Sequence, residues 1–192
     1  MLTTIPKSSG FTLIELMITI TIFGLALSLG IPSYRTWIQN TQIRNAAESI
    51  ANGIQLARAE AVKCNASVAF ALGAATSWTI THVSNCGTDP KAAAGTTLES
   101  RSSGEGSKNA TVPPHGAVDK DGNDASTITF SSLGTVIATN ADNSTPLAKI
   151  DLTSSVSSAD LRDLRVAIGL GGNARVCDPQ FNSSSTDPRK CY

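Results

Sequence analysis

The sequence predicts an α+β protein in which one long, kinked N-terminal α-helix packs on a C-terminal antiparallel β-sheet head. Three observations lead there. Residues 16–34 carry no charged side chain; residues 43–61 place small and aliphatic side chains at spacings of three and four; beyond Lys63 the apolar period shortens toward two. A chain of 192 residues has room for one folded head plus one extended element.

The first half of the helix is read as residues 11–34. At ~1.5 Å per residue its uncharged run spans roughly the ~30 Å of a bilayer's hydrocarbon layer, so a transmembrane segment is expected. A secretory signal peptide places basic residues first and ends a shorter apolar run on a small-residue cleavage site. Here the run ends in Ile31-Pro32-Ser33-Tyr34. Glu15 stands just inside the apolar stretch, where an unpaired carboxylate costs several kcal/mol in hydrocarbon and needs a partner. Gly24, Gly30 and Pro32 interrupt the segment, and Pro32 removes one backbone hydrogen bond, which predicts a kink or a locally melted stretch.

Residues 35–64 form the amphipathic half. Ile43, Ala47, Ile50, Ile54, Ala57 and Ala61 make one apolar stripe, with Arg44, Glu48, Arg58 and Glu60 off it. The stripe is core packing against a sheet and requires no cofactor.

Residues 65–192 form the head. Strands are expected at 67–72, 78–83, 127–130, 135–138, 148–152 and 164–168, with weak strand signals at 97–99 and 111–112. Residues 85–125 are rich in Gly, Ser, Thr, Asp and Pro and read as a long, exposed, partly mobile excursion. No internal repeat is visible.

Composition narrows the function. Fifteen basic residues balance fifteen acidic ones, so no global field steers the protein to nucleic acid, and any such contact must be local. Cys64, Cys86, Cys177 and Cys191 form an even set without a C-x-x-C pair, which favours disulfides over a zinc site in an exported chain. Three connectivities are open; local proximity favours 64–86 and 177–191. The second pair closes a loop over residues 178–190, which has little to bury and needs that closure. No catalytic constellation is expected, since His82 lies in an alternating strand and His115 follows Pro113-Pro114, neither beside a nucleophile motif. Gly169-Leu170-Gly171-Gly172 lacks a strand-turn-helix context and reads as a strand end. The run Asp119-Lys120-Asp121-Gly122-Asn123-Asp124 lacks the terminal Glu of a calcium loop and reads as a polar turn. No cofactor or metal is expected.

The N-terminus carries a more specific signal. Lys7-Ser8-Ser9-Gly10-Phe11-Thr12-Leu13-Ile14-Glu15-Leu16 resembles the processing site of type IV prepilins and type II secretion pseudopilins. The resemblance implies a leader over residues 1–10, cleavage by a prepilin peptidase between Gly10 and Phe11, and methylation of the new Phe11 amine. It also implies that Glu15 attracts the freed amine of a neighbouring subunit during assembly. Gly10 suits an extended backbone entering a protease cleft, and Lys7 holds the leader on the cytoplasmic side.

A narrower likeness runs through Ile54-Gln55-Leu56-Ala57-Arg58-Ala59-Glu60-Ala61-Val62, Val68, Trp78 and Ile128-Thr129-Phe130-Ser131-Ser132-Leu133-Gly134. These are similar to landmarks of the GspH and FimT/FimU family of minor pilins and pseudopilins. The resemblance implies a low-abundance subunit that primes and caps a filament with other minor pilins and the major pilin. Such a subunit rests in the inner membrane with a periplasmic head before it joins a pilus at the cell surface. A GspH-type pseudopilin of a type II secretion system is the alternative. Some FimT-group members bind DNA through a Gly-Arg-x-Arg stretch before a cysteine. Here Gly172-Asn173-Ala174-Arg175-Val176-Cys177 keeps the second arginine and has Asn173 in place of the first. Arg175, Arg189 and Lys190 are thus the candidate DNA contacts, offering about two or three phosphate contacts with a shallow salt dependence.

Overall fold

The computed structural model describes residues 10–158, 160–181 and 184–191, and it divides into two compact units between Trp37 and Ile38. One helix, α1 (Leu13–Cys64), contributes to both. The Glu15 amide donates to Thr12 Oγ1 at 3.2 Å. Thr12 is therefore the N-cap, and Glu15 is the acidic third residue of a Thr-x-x-Glu start favoured by the helix dipole. The helical backbone continues through Gly24 to Cys64, and the expected interruption at Gly30 and Pro32 falls on side chains outside the described residues.

Among the described residues of the second unit nine strands follow α1: β1 (Val68–Leu72), β2 (Trp78–His82), β3 (Thr97–Arg101), β4 (Ala110–Thr111), β5 (Ala117–Val118), β6 (Thr127–Phe130), β7 (Lys149–Ser154), β8 (Leu164–Ile168) and β9 (Ala174–Cys177). One sheet has the order β3-β2-β1-β6; the other runs β4-β7-β8-β9, with β5 also on β7. All pairings between the strands are antiparallel.

The helical stripe does what its spacing predicts: Ile43, Ala47, Ile50, Ile54, Ala57 and Ala61 are fully buried. The register pairs Val68 with His82 and with Phe130, and Phe70 with Ile80 and with Ile128, so these side chains share one sheet face. That face joins the stripe in a single core, to which the second sheet adds Ile150, Leu152 and Val166. On β7 and β8, Arg165 Nε and Nη2 donate to the Asp151 carboxylate at 2.5 and 2.9 Å. This is a cross-strand pair set by register.

Several expectations are corrected. The 85–125 segment supplies β3, β4 and β5 to the sheets. Polar side chains tie it down: Gln42 Oε1 accepts from the Asn109 amide at 2.9 Å, and Asn45 Nδ2 donates to the Gly106 carbonyl at 3.4 Å. Residues 135–138 form no strand beyond an isolated bridge between Phe130 and Val136. That bridge covers one end of the outer edge of β6, with the Ile137 amide on the Thr129 carbonyl and the Ser131 amide on the Thr135 carbonyl, while the Asn140 side chain and the Leu147 amide both donate to the Thr127 carbonyl at the other end. Strand β9 was not foreseen; a tight turn over 169–173 returns the chain, with the Gly169 amide on the Asn173 carbonyl. Glu60, read as off the stripe, is buried.

One glycine sets how closely the helix approaches the sheet. A Cβ on Gly53 would lie 3.0 Å from the Phe70 ring and 3.1 Å from the Trp78 ring. Gly53→Val is expected to lower stability by about 1–3 kcal/mol through overpacking, read from urea unfolding followed by Trp fluorescence. An unchanged midpoint would show that the helix is free to lift.

Candidate functional site

At the N-terminal junction, Gly10 and Phe11 are exposed, and among the described residues nothing approaches within 4 Å of the position a Gly10 side chain would take. Lys7, Ser8 and Ser9 lie outside the described residues. Leu13, Ile14, Met17, Ile18, Phe23 and Leu25 are all exposed. The hydroxyls among them are satisfied within the helix, Thr19 on the Leu16 carbonyl, Thr21 on Met17 and Ser28 on Leu25. A helix that is apolar all round and has its polar groups internally paired suits lipid or other helices. Among the described residues no single helix meets the length and hydropathy of a membrane span, whereas Leu13–Ser28 taken with Ser33–Cys64 does.

In the head, Cys64 is bonded to Cys86 and Cys177 to Cys191. The first bond ties the end of α1 to the loop after β2. Beside it lies Glu60, with Oε1 3.3 Å from Cys64 Sγ and Oε2 3.0 Å from Lys63 Nζ. Glu60, Cys64 and Cys86 come within metal-ligating distance of one another, but the disulfide withholds both thiolates that a metal would need.

The second disulfide holds the candidate basic edge. Arg175, on β9, donates through Nη2 to the Pro188 carbonyl, which brings it to the 187–190 stretch. Arg189 forms a two-pronged pair with Asp187, at 3.0 and 2.8 Å, and lies over the Phe181 ring, 4.9 Å from its centroid. The Arg189 guanidinium lowers the Asp187 carboxyl to about 2. Lys190 forms a backbone bridge with Asp178. Three cations are therefore gathered with two carboxylates among them, and the arginines hold the loop together.

Asp119 was read as part of a polar turn, and it is the centre of one. Its Oδ1 accepts from the amides of Asp121 and Asn123 at 2.8 and 2.9 Å, and its Oδ2 from Thr145 Oγ1 at 2.7 Å. These bonds, with Thr145 the largest, hold its carboxyl well below the usual aspartate range. The saturated carboxylate has no free oxygen for calcium, and it pins the 119–124 turn to the loop before β7. His82 is buried and its Nδ1 has no partner. His115, at φ 58°, pairs with Asp124 at 2.9 Å on the edge of a groove of about 370 Å³ lined by Leu72, Val112, Pro113 and Ala117.

The model of the family described as type II transport protein GspH matches residues 46–172, and that of the prokaryotic N-terminal methylation motif matches residues 5–31. The chain belongs to the GspH family. A comparison with curated proteins finds no match. Two crystal structures of the type IV minor pilin FimU from Pseudomonas aeruginosa (strain PAO1) are similar at 18% identity. They cover 78% of this chain and 95% and 99% of theirs, with TM-scores of 0.39 and 0.40. The GspH match begins at Ala46, on the buried flank of α1, and ends at Gly172, before β9 and the C-terminal loop. The sequence signals missed at these sites were local: Thr12-x-x-Glu15 as a helix start, and Asp119 followed by Asp121 and Asn123 as a side-chain-capped turn.

Two outcomes follow from the head. Because the folded Asp119 carboxyl is depressed, its contribution is present above the ordinary value of 3.8 and lost as pH falls below it. Asp119→Asn is therefore expected to lower Tm at neutral pH, with the gap to wild type closing below about pH 4. Separately, the Glu60 carboxylate disfavours both an incoming thiolate and a departing one at Cys64. Glu60→Gln is expected to speed reduction of the 64–86 bond a few-fold by dithiothreitol, with 177–191 unchanged, as mapped by alkylation and mass spectrometry.

Proposed function

We propose that this GspH-family chain is a minor pilin of a type IV pilus, helping to prime assembly and sitting at or near the filament tip. The observation that carries the reading is the N-terminal junction. An exposed Gly10-Phe11 peptide precedes a capped helix whose apolar side chains are exposed on every side. Such a surface is stable only in lipid or among other helices, so the segment first anchors the subunit in the inner membrane and then packs in a filament core. Glu15 serves two purposes. It stands in the first helical turn, where the helix dipole favours an acid, and it offers the negative charge that a neighbour's Phe11 amine needs in a low-dielectric core. Prepilin peptidase, other minor pilins and the major pilin are the partners this reading requires. The same features suit a GspH-type pseudopilin of a type II secretion system.

DNA capture is the second reading. It is favoured by the approach of Arg175 to the 187–190 stretch and opposed by the pairing of Arg189 with Asp187.

The test uses two substitutions that separate the roles of Glu15. Glu15→Gln keeps a capping side chain and removes the charge; Glu15→Ala removes both. Both variants are expected to be processed and inserted, yet to be absent from sheared filaments. Wild-type incorporation of Glu15→Gln would overturn the amine-pairing role. For the second reading, the head is titrated with duplex DNA at two salt concentrations alongside Arg175→Gln. Salt-sensitive binding lost in the variant would establish DNA capture.

A further inference from the structure

The first unit ends in a feature that neither the family nor the filament reading uses. Tyr34 and Trp37 lie three residues apart on α1, their rings stacked with centroids 5.9 Å apart. Each is 62% exposed, and Arg35 between them is exposed too. All three stand where the uncharged run stops. Glu15 stands at its other end, nineteen residues before Tyr34, a rise of about 29 Å in helix and thus one hydrocarbon thickness.

We infer that Tyr34, Arg35 and Trp37 form an interfacial anchor that binds the headgroup layer of a phospholipid membrane and fixes the depth of the helix. The inference rests on the membrane-spanning reading of residues 11–34. Amphipathic rings settle at the headgroup level, with an apolar body toward the acyl chains and a polar edge in the wet layer. Arg35 reaches the phosphates from the same turn. With this end fixed at the outer boundary, Glu15 comes to rest at the inner one, so its charge stays hydrated before assembly. Only extraction into a filament moves Glu15 into an apolar setting, where it needs the amine. The anchor therefore holds the subunit in register for extraction and keeps Glu15 uncommitted until then.

The test reconstitutes the full chain in phosphatidylcholine–phosphatidylglycerol vesicles. Flotation reports membrane association. Depth is read from Trp fluorescence quenching by lipids brominated near the headgroup or at mid-chain. Trp37→Phe leaves Trp78, which is buried in the head, as the background to subtract. The expected result is flotation with about twofold stronger quenching by the shallow bromines than by the deep ones. Flotation with equal, deeper or no quenching of Trp37 overturns the anchor while leaving the span intact. Failure to float overturns the membrane reading and the anchor with it.

Discussion

The apolar stripe from Ile43 to Ala61 is the surface on which the whole head is built. A four-stranded sheet buries one face only if something covers it, and here the cover is the second half of α1. Val68, Phe70, Ile80, Ile128 and Phe130 all reach zero exposure against it. Gly53 permits that closeness, since its missing side chain is the space in which the Phe70 and Trp78 rings sit. The Trp78 indole then donates to Ser49 on the helix at 3.0 Å, so the same contact that excludes water also fixes the helix rotation. The second sheet joins this core rather than making its own, which is why a head with two sheets has one hydrophobic cluster.

Around that core the connections are held by polar bonds and disulfides. Asn40, Gln42 and Asn45, on the flank of α1, bind backbone groups of loops distant in the sequence. Asp119 fixes a turn from within, and Asn140 donates to the Thr127 carbonyl at the end of the β6 edge. Each of these side chains satisfies backbone groups that would otherwise be unpaired near the core. The disulfides act at the two places with least to bury, the end of the helix and the C-terminal loop. This division of labour lets the head carry a long Gly- and Ser-rich segment without losing order.

The N-terminal half of the helix follows opposite rules. Among its described residues it buries nothing within its own unit, it pairs the hydroxyls of Thr19, Thr21 and Ser28 internally, and its charges stand only at its ends. An apolar surface of this kind suits lipid or the packing of other helices against it. On the proposed reading, position along the helix decides whether the Glu15 carboxylate is wet.

Much of this was legible from the chain alone, because period and local chemistry fix it. The uncharged run, the three-and-four stripe and the alternating strands at 127–130 and 164–168 depend on neighbours within a few residues, and these were read at their observed places. The family resemblance rested likewise on a contiguous stretch around Gly10 and Glu15. What the sequence left open were matters of long-range geometry. The 85–125 segment looks like a loop by composition, yet its strands form because β7 and β2 offer unpaired edges and α1 supplies side-chain hooks. Residues 135–138 look like a strand, yet they meet β6 only at the Phe130–Val136 bridge, and Asn140 and Leu147 take the Thr127 carbonyl at the other end of that edge. Glu60 looked solvated from its place on the helix, but it is buried beside the disulfide. Three connectivities were open to four cysteines until the fold set Cys64 beside Cys86 and Cys177 beside Cys191. Likewise, Arg175 and Arg189 read as candidate DNA contacts, and the fold leaves both exposed but bonds Arg175 to the Pro188 carbonyl, while Arg189 pairs locally with Asp187. A side chain's period is written in its neighbours, but its partner is decided by whatever the fold brings within about 3 Å.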